Sequence, residues 1–321
     1  MSEVDTYLTE ITAVFKETKD KREANYRCNQ LLIDMSGDRD FFTCVLERHL
    51  KTKGNLNTLH YPVVGLEIEL NEYFGLIANC WIPLPGRESN LSSKSIHHHG
   101  DMLLTTVTAY GTGYEHWTFE TPSVVDASRE IYELKLLEHA PHPIHHVAFV
   151  DAFIAHLPLY PPDLTITYAL WSSRFPTTWK DRVKRIPVFQ NNSGRLRDLA
   201  VKAGLAKQLE LKVVEYFDFY PCSEGFRGMK ERKEFERSNN EDYLFSLFHV
   251  IQETGNEHLA PIVEQKLLSG EHLSNPNLVR KLITDLNKGN KIEGRISANH
   301  FGFEYANFTR EQILEALTVR H

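Results

Sequence analysis

Residues 95–119, SIHHHGDMLLTTVTAYGTGYEHWTF, decide the fold. Two short runs rich in β-branched and aromatic residues, 102–110 and 114–119, are joined by a turn with glycines at 111 and 113, which predicts two adjacent strands. The same pattern extends to both sides. YPVVGLEIEL (61–70) and FGLIANCWIPL (74–84) come before it, and IYELKLLEHA (131–140), HHVAFVDAFIAHLPLY (145–160) and LTITYALWSS (164–173) come after. Gly, Pro, Asp or Ser bounds each run. Strands at roughly ten-residue spacing predict an antiparallel sandwich or barrel. The lack of βαβ alternation counts against a doubly wound parallel sheet.

The flanks read differently. Tyr7, Leu8, Ile11, Val14 and Phe15 recur at spacings of three and four, and Leu31, Leu32, Phe41, Phe42, Val45 and Leu46 continue the pattern, interrupted by the turn chemistry of Ser36, Gly37 and Asp38. Beyond the Pro-rich and charged stretch 174–194, helical periodicity returns in RLRDLAVKAGLAKQLELKVVEYF (195–217), EDYLFSLFHVIQE (241–253), HLAPIVEQKLL (258–268), NPNLVRKLITDLNKG (275–289) and TREQILEALTV (309–319). Asn275 with Pro276 fits a helix start, and Thr309 with Gln312 fits a capping box. The expected organisation is a helical N-terminal cap over 1–55, a mainly β barrel over 56–180 and a helical C-terminal domain over 195–321.

Histidine is concentrated where chemistry is expected: nine of the 16 fall between positions 97 and 156. Successive strand side chains point to opposite faces, so His97 and His99 share one face and His98 takes the other. An HxH on a strand can chelate one metal. His156, in AFIAHLPLY, lies two strand-like runs downstream, where an antiparallel barrel would return it beside the pair. Three neutral imidazoles leave further positions of a divalent iron, zinc or manganese open to substrate, water or O₂. His116 and His146 stand as alternative additional ligands, although a satisfied strand or turn histidine is the plainer reading of each. Tyr110 and Tyr168 are candidates to orient substrate or supply a proton. Arg87 and Arg174 are candidates to grip a small carboxylate through a bidentate guanidinium, with Arg129 as a further one.

Composition narrows the partners. The formal charge is −7, with 36 Lys and Arg scattered among 43 Asp and Glu, so no basic face offers itself to nucleic acid. No apolar run approaches the length of a membrane span. The four cysteines at 28, 44, 80 and 222 form no CxxC pair, which excludes a zinc ribbon and points to a reducing, cytoplasmic setting with the thiols as buried small hydrophobes.

The run from Ser95 to Gly100, preceded by a strand and followed by a strand and a glycine turn, resembles the first metal-binding motif of the cupin superfamily. Its sharpest likeness is to the S-P-x-H-x-H-G form of cysteine dioxygenase-type thiol dioxygenases, and His156 sits where that family's second motif supplies a third histidine. The resemblance covers about residues 61–175. It implies a double-stranded β-helix barrel and a three-histidine, carboxylate-free iron(II) centre, and the absence of the usual first-motif glutamate near Leu103 or Leu104 agrees with that ligand set. That family's Ser-His-Tyr triad has no match here, where Thr165, Thr167 and Tyr168 are the nearest polar residues. The expected activity is that of a mononuclear non-haem iron(II) oxygenase, dioxygenase-like, taking a small molecule and O₂. The alternatives are a non-redox cupin hydrolase, lyase or isomerase using zinc or manganese, and a ligand-binding regulatory or scaffold protein. In the last case, the helical tail would meet a protein partner or a second copy.

Overall fold

The strands Val63–Leu70 and Gly75–Trp81 alternate in burial, whereas Met102–Tyr110 and Thr165–Ser173 are buried on both faces, so these last two divide their side chains between two different surroundings. In the computed structural model, the described residues are 3–58, 63–83, 96–120, 123–126, 131–133, 136–159, 161–173, 215–219, 226–229 and 240–295. Four helices open the chain: α1 Glu3–Glu17, α2 Lys21–Arg27, α3 Asn29–Gly37 and α4 Arg39–Lys51. Asp20 caps α2 by accepting from the Arg22 N–H, and Asp38 caps α4 by accepting from the N–H groups of Asp40 and Phe41. Each cap satisfies donors that the first helical turn leaves without a partner.

Eleven strands follow: β1 Val63–Leu70, β2 Gly75–Trp81, β3 Ile96–His98, β4 Met102–Tyr110, β5 Tyr114–Phe119, β6 Ser123–Asp126, β7 Ile131–Glu133, β8 Leu136–His142, β9 Val147–Val150, β10 Ala155–Pro158 and β11 Thr165–Ser173. Two more strands, β12 Glu215–Phe219 and β13 Phe226–Met229, precede the helices α5 Asn240–Glu253, α6 Ala260–Leu268 and α7 Pro276–Lys288. The first sheet has the order β1-β2-β11-β4-β9 and the second β6-β7-β13-β12-β3-β10-β5-β8. Every ladder between named strands is antiparallel.

Chain order gives the topology. From β2 to β5 consecutive strands alternate between the first and second sheets; β8 stays in the second, and β9 to β11 alternate again. This strand order is that of a double-stranded β-helix, with β6–β7 inserted between β5 and β8. Among the described residues, the ladders remain two separate sheets facing one another rather than one closed barrel.

The main apolar core lies outside this pair of sheets. Leu76, Ala78, Cys80, Ile166, Tyr168 and Leu170 on the outer face of the first sheet pack with Phe41, Val45 and Leu46 of α4, Leu244, Leu247 and Ile251 of α5, Val263 of α6 and Leu282 of α7. Polar pairs pin the same layer. Asn25 of α2 donates to Ser172 Oγ at 2.7 Å and accepts from Thr105 Oγ1 at 3.0 Å, and His49 of α4 meets the Tyr243 hydroxyl of α5 at 2.6 Å. Cys28 and Cys80 are buried as expected, and burial raises both thiols, that of Cys28 to about 12.

Helices from both ends of the chain contribute to one core with the first sheet. One expectation changes. Residues 215–219 and 226–229, expected within or beside the helical tail, are strands that extend the second sheet from β3, because EYF carries aromatic strand formers that pair with Ile96 to His98. Residues 174–214 and the expected capping box at Thr309 lie outside the described residues.

The turn between β4 and β5 provides a test. Gly111 has φ +82, and a Cβ there would overlap the Leu164 carbonyl oxygen; Gly289 has φ +68 with open space around it. Gly111→Ala should cost about 3 kcal/mol or more and Gly289→Ala about 1 kcal/mol in urea unfolding. Equal costs would contradict the close approach of the β4–β5 turn to Leu164.

Candidate functional site

Register brings the distant histidines together. His156 of β10 pairs with His97 of β3 on one side and with Thr118 of β5 on the other, and Pro158 pairs with His116. The turn after β3 is built by its own residues: Gly100 at φ 62 donates to His98 Nδ1 at 3.0 Å, and its carbonyl accepts from the Phe153 N–H at 2.7 Å. Phe153 also has φ 62, so the turn before β10 and the turn after β3 are locked to each other. His99 lies in the turn after β3, and His156 follows the other turn as the second residue of β10.

Their rings converge. His99 Nε2 and His156 Nε2 stand 2.9 Å apart, and the His99 ring rests on Trp171 with centroids 4.5 Å apart. His156 Nδ1 meets His116 Nε2 at 2.9 Å. In the tautomer with hydrogen on His156 Nδ1, His116 accepts it, and the His156 Nε2 lone pair points toward His99. A cavity of about 540 Å³ beside His99 is also lined by Lys21, Tyr73, Asp101 and Trp171. Desolvation lowers the Lys21 pKa, and its ammonium donates to the Phe15 carbonyl at 3.1 Å.

Deeper between the sheets sits His142, 1% exposed, which reaches from β8 across to β4. The Thr108 hydroxyl donates to the His142 carbonyl at 2.9 Å and so accepts from His142 Nδ1 at 2.7 Å, while Thr106 Oγ1 meets Nε2 at 2.9 Å. Both ring nitrogens are satisfied in the neutral form. Tyr114 stacks on this ring at 5.0 Å with an interplanar angle of 14°, and burial raises its phenol to about 12. Desolvation is the chief reason the His142 pKa falls to about 4.

The expected residues separate into groups. His99 and His156 come together, and His97 lies opposite His156 in register, its backbone alone described. His98 is buried away from that pair, with Phe153 its ring neighbour at 6.0 Å. His116 holds His156 through Nδ1, and His146 neighbours His142, with ring centroids 5.5 Å apart, rather than His156. Tyr110 and Tyr168 are not at the histidines. Tyr168 packs against Phe41 in the helical core, and the Tyr110 hydroxyl donates to the Glu253 carbonyl at 2.7 Å. Alternation along β11 turns Tyr168 outward, and a register shift between Ile166 and Thr167 turns Tyr110 outward with it. Arg87, Arg129 and Arg174 lie outside the described residues. Tyr114, Thr106 and Thr108 had no signal of their own beyond the T-x-T spacing of the two threonines, which places those two on one face.

A metal can be tested against these residues. At a metal–nitrogen distance of about 2.1 Å, two ligands with a 90° bite sit about 3.0 Å apart, close to the His99–His156 spacing. His156 also has its other nitrogen held by a neighbour, as metal-binding imidazoles commonly do. Among the described residues, no group of three His, Cys, Asp or Glu is arranged to hold a metal ion. The pair therefore fits two ligands, and a third depends on His97.

The strand order and the histidine pair define a double-stranded β-helix with a polar site between its sheets. No protein-family model matches the chain, and no curated protein matches it in sequence. Similar solved structures include TT1209 from Thermus thermophilus, 11% identical over 35% of this chain and 83% of that one, at a TM-score of 0.25. Cupin superfamily members are among them, such as an RmlC-like cupin from Shewanella frigidimarina NCIMB 400, 10% identical over 39% and 85% of the two chains at a TM-score of 0.23. An oxalate oxidase bound to the substrate analogue glycolate is 12% identical over 49% and 78%, at a TM-score of 0.25. Likeness at this level carries no argument, and the fold assignment rests on the strand order. Among the described residues, no helix is long and apolar enough to cross a membrane.

Acid should probe the buried imidazoles. His142 and His49 both have pKa values lowered to about 4, by desolvation first and for His49 also by Lys266. Each unfolded histidine takes a proton near pH 6.5 while the folded one does not, so their stabilisation is full above 6.5 and is lost as pH falls toward 4. Between pH 7 and 4.5, the unfolding free energy should drop by about 2–3 kcal/mol for each. His49→Gln and His142→Asn should each remove that share of the drop; a pH dependence unchanged in both would show that neither is buried neutral.

Proposed function

We propose that His97, His99 and His156 hold a divalent metal, and that the protein is a mononuclear non-haem iron(II) oxygenase acting on a small molecule. The observation that carries this reading is the facing pair of imidazole nitrogens, 2.9 Å apart, one on the turn after β3 and one on β10, with Gly100 and Phe153 of the adjoining turns bonded to each other. Bound iron would supply O₂ chemistry that no side chain can perform. The protein's own part is geometry. Trp171 fixes the His99 ring, His116 fixes the His156 ring, and the cavity that His99 shares with Lys21 offers an approach for substrate. Three neutral histidines leave the metal's positive charge uncompensated, so an anionic substrate group is favoured, and Lys21 adds a cation on the same cavity wall. Arg87 and Arg174 remain proposed anchors. A cytoplasmic setting and a partner for the helical tail are kept as proposals resting on the sequence alone.

Metal content decides the site. His97→Ala, His99→Ala and His156→Ala should each cut bound divalent metal to well under half of wild type, while His98→Ala should keep it. Full retention in the three variants would remove the metal site. Reactivity decides between oxygenase and the zinc or manganese alternatives: iron-loaded protein should consume O₂ only with substrate present, and zinc-loaded protein should be inactive. Because zinc has no accessible redox change, turnover by the zinc form without O₂ would instead establish a hydrolase, lyase or isomerase.

A further inference from the structure

A second cavity, of about 490 Å³, lies on the opposite face of the first sheet, among α3, α4, the end of β4 and β11. Its size falls within the roughly 300–1,000 Å³ typical of small-molecule sites. Tyr168 lines it; alternation along β11 directs this residue away from His99 and His156. The Tyr168 side chain is 1% exposed, yet its hydroxyl forms no hydrogen bond with any described residue and is not among the buried atoms sealed from solvent. With no partner among the described residues, the hydrogen bonds of this hydroxyl are left to whatever occupies the cavity that Tyr168 lines.

Two further groups on the wall are ready to bind. Arg39, the first residue of α4, is exposed and has no ion pair among the described residues. His145 is held at φ 62, a conformation uncommon outside glycine. Its Nδ1 meets Ser36 Oγ at 2.8 Å, and the Ser36 hydroxyl donates to the Ile33 carbonyl at 2.7 Å. Ser36 therefore accepts from His145 Nδ1, which leaves Nε2 of the neutral ring as an acceptor. Asp38 also lines the cavity, but its Oδ1 is occupied by the Asp40 and Phe41 N–H groups. Phe42 and Ile144 give the cavity an apolar wall.

We propose that this cavity is a second ligand site, separate from the histidines, for a small hydroxylated aromatic carboxylate. The carboxylate pairs with Arg39, the ring lies against Phe42 and Ile144, and the ring hydroxyl bonds with Tyr168 and His145. The phenol of Tyr168 stays protonated, since burial raises its pKa well above 10, and can donate to that hydroxyl.

The probe is 4-hydroxybenzoate, titrated calorimetrically into the full chain, with 4-hydroxybenzyl alcohol and acetate as comparators. Binding should weaken about tenfold in Arg39→Gln and about fivefold in Tyr168→Phe, the sizes expected for losing a charged and a neutral hydrogen bond. It should be unchanged in His99→Ala and His156→Ala, and both comparators should bind more weakly. Arg39 is on the surface and Tyr168→Phe keeps the ring against Phe41, so both variants are expected to fold. Absence of binding, indifference to Arg39→Gln, equal binding of the alcohol, or loss of binding in His99→Ala would each overturn the proposal.

Discussion

Strand β11 is covered on both of its faces, and the rest of the molecule follows from how it divides its side chains. Ile166, Tyr168 and Leu170 face the helices, while Ala169 joins Leu104 and Val150 in a small cluster between the sheets and Thr167 takes a hydrogen bond from the Trp81 indole. Neighbouring residues in a strand point to opposite sides, so a shift of one position would drive the core face into the polar interior. The ladder with β4 holds this register from Thr167 to Ser173 and breaks it once, at Ala109, where Ile166 pairs with Tyr110. That extra residue keeps Thr106 and Thr108 on the histidine side and sends Tyr110 to the helices.

Much of this was legible in the sequence. Short β-branched and aromatic runs bounded by turn residues marked β1, β2, β4, β5 and β11, and the three-and-four spacing marked α1, α4, α5 and α7. His99 with His156 was readable as well: alternation puts HxH on one face, and an antiparallel return brings the later strand alongside. What failed depended on pairing. A β-bulge has no strong local signature when neither residue is glycine, so nothing in the sequence shows that Tyr110 turns away from the histidines. His142 sits between Pro141 and Pro143, a context that signals a turn, yet cross-sheet bonds to two threonines make it one of the most buried histidines in the described structure. What covers α5 to α7 was likewise not legible, because amphipathic helices show which face is apolar but not what will cover it.

The external core explains how the interior can be so polar. A pair of sheets usually gains its stability from side chains packed between them, and imidazoles there would be costly if unpaired. Here the largest apolar cluster is formed by the helices on the outer face of the first sheet, so the space between the sheets need not be filled by aliphatic groups. His99, His116, His142 and His156 occupy it and answer one another or the β4 threonines, which keeps the desolvation cost down. The arrangement also fixes direction. His142 has both nitrogens committed to Thr106 and Thr108, and His156 has Nδ1 committed to His116, so Nε2 of His156 is directed at His99. The two ends therefore differ: His99 lines a cavity shared with Trp171, while His142 is held fixed by the two threonines.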